Sequence, residues 1–127
     1  MSTAADICRS YLEAFETGDP DLVASFVSDN FVNEHTSALG SGCVGKDEYR
    51  RRLPNFMASM PGLRYVVERQ IYEGDQVANA YTLHARVNDR DIEIRGMMRI
   101  TVRDGLITDR TDYWDSKLFL RQAGIEE

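Results

Sequence analysis

Moving a proton on an organic ligand takes a carboxyl, imidazole or phenol group held where water is scarce. Four residues of this chain have the type and setting for it. Asp112 sits in the run TDYWD, residues 111–115, beside two aromatics, where an apolar residue would pack better. Glu34 and His35 end the run FVNEH, residues 31–35. As strand neighbours they point to opposite faces, so only one can face inward. We take that one to be His35, whose ordinary titration near neutral pH suits a proton shuttle, with Glu34 as the alternative base or water anchor. Tyr11 lies on the apolar stripe of an N-terminal helix and could donate to a developing oxyanion. Each has a plainer reading: Arg110, two residues before Asp112, would hold it in a structural bridge; His35 would cap or face solvent; Tyr11 would be core with a satisfied hydroxyl.

The elements that position these residues are three helices followed by a run of hairpins. Thr3 with Asp6 resembles a capping box, and Ile7, Cys8, Tyr11, Leu12 and Phe15 then recur at helical spacing up to Gly18. Asp19-Pro20 starts a second helix, with Leu22, Val23, Phe26 and Val27 as its expected buried stripe. Tyr49, Leu53, Phe56 and Met60 mark a third, which Pro54 is expected to kink. After Pro61-Gly62 the period changes to alternation, and Gly74-Asp75, Asn88-Asp89 and Asp104-Gly105 join four strands as antiparallel hairpins. SKLFLRQAG reads as a terminal helix stopped by Gly124. The fold class is therefore α+β: one domain over residues 1–127, a curved antiparallel sheet wrapped around three N-terminal helices.

The turn VRDGL decides where Asp112 points. A three-residue turn over Arg103 to Gly105 puts Met98, Ile100 and Val102 on one face with Arg110, Asp112 and Trp114; a two-residue turn puts Asp112 on the Arg99 and Arg103 side. These residues alone leave both registers open, and we follow the first. Apolar walls would then desolvate the carboxyl group, the setting that tunes it for proton transfer near neutral pH. Trp114, Tyr81, Met98, Phe56, Leu83 and Arg110 are the expected lining, suited to a small hydrophobic, even polycyclic, ligand.

Composition excludes other classes. With 43% hydrophobic and 28% charged residues the 127-residue chain is globular, and no stretch approaches a membrane span. A net charge of -6 argues against a nucleic-acid partner, and Arg50-Arg51-Arg52 reads as a solvated helix face. Cys8, Cys43, His35 and His84 have no ligand-spaced partners, so no metal and no cofactor is expected. The N-terminus lacks a basic start and apolar core, which points to a cytoplasmic protein. GSGCVG, residues 40–45, matches GxGxxG, but hairpins follow where a dinucleotide fold needs a parallel strand; it reads as a flexible loop and pocket rim.

AFETGDPDLVASFVSDNF early and RITVRDGLITDRTDYWDSKLFLRQAG late resemble the nuclear transport factor 2-like superfamily, the late segment being most similar to its SnoaL-like polyketide cyclases. The resemblance covers nearly the whole chain and implies a cone-shaped α+β roll, commonly a homodimer, whose superfamily hosts many functions. Asp112 falls where those cyclases place the carboxylate of their aldol closure, a position also matched by a catalytic acid of limonene epoxide hydrolases. The cyclases' pocket histidine maps near Met98, which cannot transfer protons. The epoxide hydrolases' Arg and Asp pair maps to Tyr81 and Leu83. Tyr11 matches the oxyanion tyrosine of ketosteroid isomerases, and their general base maps to Glu34 or His35. Their second oxyanion acid maps to Met97 or Met98. The resemblance thus implies a cofactor-free enzyme moving protons on an apolar carbonyl compound, with epoxide opening near Glu34 and Asp112, or a noncatalytic binding module, as alternatives. Arg95, Arg99 and Arg103 on the outer sheet face would form the dimer interface.

Overall fold

The computed structural model describes residues 3–37 and 40–125, so the two ends of the expected domain and residues 38–39 lie outside the described residues. Helix α1 (Ala4–Ala14) starts at the capping box: Thr3 Oγ1 accepts from the Asp6 N–H and Asp6 Oδ2 accepts from the Thr3 N–H. Such a cap contributes about 1 kcal/mol. A 3-10 turn (Phe15–Thr17) ends at Gly18 with φ 72°, and Asp19 caps the short α2 (Pro20–Ala24). That helix stops sooner than expected. Leu22 is 40% exposed, and Val27 opens a strand opposite Ile107 instead of completing a helical stripe. One helical turn has little stability of its own, so the sheet wins Val27.

Strands β1 (Val27–His35) and β2 (Cys43–Val44) precede α3 (Lys46–Ser59), which runs on through Pro54. The meander β3 (Arg64–Glu73), β4 (Gln76–Val87), β5 (Arg90–Arg103) and β6 (Leu106–Trp114) follows, and α4 (Ser116–Gln122) closes the chain. The six strands form one curved, open sheet in the order β2-β1-β6-β5-β4-β3. Its pairs are antiparallel except β1 with β6, which run parallel. A parallel pair needs a long connection, and α3 with β3 to β5 supplies it.

The β5–β6 turn departs from expectation. Arg103 pairs with Leu106, leaving a two-residue turn in which Asp104 and Gly105 have φ 51° and 79°, the type I′ geometry. Alone, that turn would send Asp112 outward. A bulge reverses it: the register steps from Val102 opposite Ile107 to Thr101 opposite Asp109, so Thr108 is the extra residue and everything beyond it changes face. Ile107, Arg110 and Asp112 are therefore all buried, the last two opposite Ile100 and Met98.

The core lies between the sheet and α1, with Tyr11, Leu12, Phe31, Met98, Ile100 and Ile107 at or near zero exposure, each aliphatic among them contributing about 1.5–3 kcal/mol. Cys8 packs there as well. Gln70 Nε2 ties α1 to the sheet, donating to the Ala5 carbonyl at 3.2 Å and to Asn79 Oδ1 at 2.9 Å. Among the described residues no helix is long and apolar enough to cross a membrane.

Candidate active site

Two rungs of the parallel β1–β6 pair bring candidate site residues together. Asn33 stands opposite Arg110 and His35 opposite Asp112. Within each strand the two residues share a face and sit about 7 Å apart. A pocket opens along these rungs in two lobes. The larger, about 310 Å³, is lined by Asp112 with Tyr81, Leu83, Ile94 and Trp114. The smaller, about 180 Å³, is lined by Arg110 with Asn33, Cys43, Tyr49 and Arg52. His35, Ser41, Phe56 and Tyr65 line both, which makes them the waist.

Asp112 is 1% exposed and is held from two sides. Arg110 Nε donates to Oδ1 at 2.6 Å and Nη2 to Oδ2 at 2.9 Å, a forked pair, while the Tyr81 hydroxyl donates to Oδ2 at 2.9 Å. Every one of these contacts donates to the carboxyl group, so it stands as a carboxylate. Gly96 makes room for the tyrosine: a Cβ there would lie 2.7 Å from the Tyr81 hydroxyl oxygen. Burial pushes the Tyr81 phenol well up from its ordinary value, and the Asp112 charge pushes it the same way, so it stays a donor.

Arg110, 3% exposed, is the hub. Its Nη1 donates to the Tyr11 hydroxyl at 2.9 Å and its Nη2 to the Tyr65 hydroxyl at 3.2 Å. The guanidinium also lies 5.4–5.8 Å from the ring centres of Tyr11, Phe15 and Tyr65. Burial alone would pull Arg110 down, but Asp112 and the phenol oxygens outweigh it and hold it well above its ordinary value. Tyr11 and Tyr49 share a hydrogen bond, and burial raises both phenols. Tyr11 thus reaches Asp112 through Arg110 and touches neither lobe.

His35 accepts at Nδ1 from the Trp114 indole N–H at 3.3 Å. An indole only donates, so the neutral ring carries its proton on Nε2. Burial lowers its pKa and Arg110 adds to this, against the opposing pull of Asp112, so the ring is neutral at pH 7. That leaves Nε2–H free of the Trp114 contact, a hydrogen-bond donor on the expected shuttle residue. Glu34 faces the other way, exposed, accepting from Thr111 Oγ1 at 3.3 Å, and it lines neither lobe. Met98 also departs from its expected place. Fully buried opposite Asp112, it backs the carboxylate from the core without lining the pocket.

Several residues that line the pocket were missed from sequence. Asn33 is two residues before His35, so alternation alone places it on the same face. Tyr49 sits on the predicted α3 stripe, and Tyr65 on β3 faces inward with Val67. Arg52 is no mere solvated residue: pairing with Glu48 at 2.6 Å, it donates to the Gly42 carbonyl at 2.8 Å and so fastens the glycine loop at the rim. That loop fits flush on β1. A Cβ on Gly42 would lie 2.5 Å from the Asn33 carbonyl oxygen, and one on Gly40 2.4 Å from His35 Cβ. Among the described residues no group of three or more His, Cys, Asp or Glu is placed to hold a metal.

Residues 8–110 match the profile of the SnoaL-like domain family. A comparison with curated proteins gave no match. Among solved structures, the chain is similar to a protein of ketosteroid isomerase-like fold from Catenulispora acidiphila, bound to trimethylamine, with TM-score 0.87, 15% identity and 98% and 95% of the two chains covered. It is similar to a candidate SnoaL-like polyketide cyclase from Shewanella denitrificans, with TM-score 0.85, 15% identity and 95% and 96% covered. A further likeness is to an epoxide hydrolase of the LEH-like kind from M. tuberculosis, with TM-score 0.79, 24% identity and 94% and 90% covered.

Proposed function

The chain belongs to the SnoaL-like domain family, and from that premise we propose that it is a cofactor-free enzyme moving a proton on a small hydrophobic carbonyl compound, of polyketide cyclase or isomerase type. One observation carries the reading: Asp112, 1% exposed and held as a carboxylate, forms part of the wall of a mostly apolar lobe. In the proposed step Asp112 takes the proton next to the ligand carbonyl, becoming a neutral acid, and the electron pair moves onto the carbonyl oxygen as an enolate. His35 Nε2–H donates to that oxygen, and Asp112 then returns the proton to carbon. Arg110 and Tyr81 keep the carboxylate in place, and Trp114 fixes the imidazole. Tyr11 acts through Arg110 as a positioning residue. Phe56 and Leu83 supply apolar contact.

Epoxide opening by a water held between Glu34 and Asp112 is the weaker reading, because Glu34 is exposed on the opposite face. The noncatalytic reading has one observation in its favour: both Asp112 oxygens already have protein partners, as in a structural bridge. We also propose a homodimer through the outer sheet face. Met97 and Tyr113, 41% and 44% exposed, pair across β5 and β6 beside Arg99, while Arg95 and Arg103 are paired with Glu68 and Asp75 at the margins. Light scattering would return twice the 14.5 kDa chain mass, and a monomer would overturn it.

The functional test is deuterium exchange. Cyclic ketones such as 1-tetralone are incubated with the protein in D2O, and loss of the α-proton NMR signal is followed. Exchange faster than in buffer with the unfolded protein supports the enzyme. Quenching of the single tryptophan, Trp114, without exchange supports the binding module.

A further inference from the structure

The smaller lobe contains groups that the proton-transfer step does not use. Asn33 Oδ1 is fully buried and has no hydrogen-bond partner among the described residues. Opposite it in register stands Arg110, whose four hydrogen bonds, to Asp112 twice, Tyr11 and Tyr65, employ four of its roughly five N–H groups and leave one on Nη1. A bare acceptor and a spare charged donor thus belong to residues that face each other across one rung and line the same lobe.

That combination selects a chemistry. A carboxylate or phosphate would suit Arg110 but face the Asn33 oxygen with no proton to give it. An ammonium group would satisfy Asn33 but meet the guanidinium head-on. A methyl group would leave both unsatisfied. A hydroxyl group satisfies both, accepting from Arg110 Nη1 and donating to Asn33 Oδ1. The spacing is also set, because the Asn33–Arg110 rung lies about 7 Å from the His35–Asp112 rung. We propose that the smaller lobe is a hydroxyl-recognising subsite, and that the ligand is a hydroxylated cyclic or aromatic ketone whose hydroxyl lies about two strand residues from its carbonyl. This rests on the reading above only in placing the carbonyl at the His35–Asp112 rung. The apolar body between the two oxygens passes the waist, between Phe56 and Tyr65.

The test uses three ligands of one shape: 1-tetralone, 6-hydroxy-1-tetralone and 6-methoxy-1-tetralone, each titrated against Trp114 fluorescence. The hydroxyl compound is expected to bind about tenfold more tightly than 1-tetralone, the worth of one hydrogen bond to an otherwise stranded buried acceptor. The methoxy compound, which has an oxygen but no proton to donate, should show no gain. In Asn33→Leu the hydroxyl and parent compounds should bind equally, whereas Asn33→Asp, which keeps an acceptor, should retain the preference. Circular dichroism reports whether each variant folds, and if Asn33→Leu does not, the hydroxyl and methoxy comparison in the unaltered protein decides. Equal affinities for all three ligands, a gain with methoxy equal to that with hydroxyl, or no binding of any of them would overturn the subsite. Failure of deuterium exchange alongside an intact hydroxyl preference would remove the catalytic reading and leave the subsite standing.

Discussion

Replacing Arg110 by Met should cost the protein about 3–5 kcal/mol, and the reason is Asp112. The two side chains are 4% and 1% exposed, so water cannot take the place of the guanidinium. The substitution removes the donors at 2.6 and 2.9 Å and leaves a buried carboxylate with the Tyr81 hydroxyl alone. It also takes away the N–H groups bonded to Tyr11 and Tyr65. For a chain of 127 residues the unfolding entropy is about 0.27 kcal/mol/K, so the expected fall in Tm is about 10–20 °C. The double variant Arg110→Met with Asp112→Leu removes both charges and should recover at least half of the loss. Urea unfolding followed by Trp114 fluorescence measures the free-energy losses, and thermal unfolding the fall in Tm. A single variant within about 1 kcal/mol of the parent, or a double variant no better than the single, would refute the idea that this pair is a mutually dependent buried ion pair.

Two further outcomes can be checked on the same footing. Burial holds the His35 imidazole below its ordinary value of 6.5, so as pH falls below about 6.5 the unfolded chain takes up a proton that the folded chain resists. Its contribution to stability is therefore present above that pH and lost as pH falls toward the folded value; His35→Gln should flatten the change in urea midpoint between pH 7.5 and 5.5, and an unaltered slope would contradict this. Gly96→Ala puts a methyl group 2.7 Å from the Tyr81 hydroxyl oxygen and 3.1 Å from the Tyr113 carbonyl oxygen, so the ring must move off Asp112. The expected cost is about 1–3 kcal/mol, read by thermal unfolding, and an unchanged Tm would show that Tyr81 gives way freely.

Local signals were the legible ones. Thr3 with Asp6, Asp19 with Pro20, and the Asn-Asp and Asp-Gly turns act through their nearest neighbours, so residue type is enough to read them. The inward aim of Asp112 was expected for a reason that proved wrong, a three-residue turn, and occurs through the Thr108 bulge. Nothing in the residue types near Thr108 announces that bulge, because the packing of Ile107 and Arg110 on opposite sides of it decides it. Pairing of β1 with β6 is likewise a tertiary choice. With it goes the juxtaposition of Asn33 with Arg110 and His35 with Asp112, which no local pattern contains. Glu34 and His35 were left as alternatives by alternation, and their register against Thr111 and Asp112 separates them. Met98 was taken as pocket wall because it shares a face with Asp112, yet on a curved sheet a shared face extends under the core helices as well as along the cavity.

The central claim, that Asp112 carries a proton to and from a ligand carbon, is tested most directly by the rate of α-deuterium exchange on bound 1-tetralone in Asp112→Asn beside the parent protein. Asparagine keeps the shape but cannot accept the proton, so tetralone should still quench Trp114 while exchange falls by about 10²–10⁴-fold. Exchange at the parent rate in Asp112→Asn would contradict the claim.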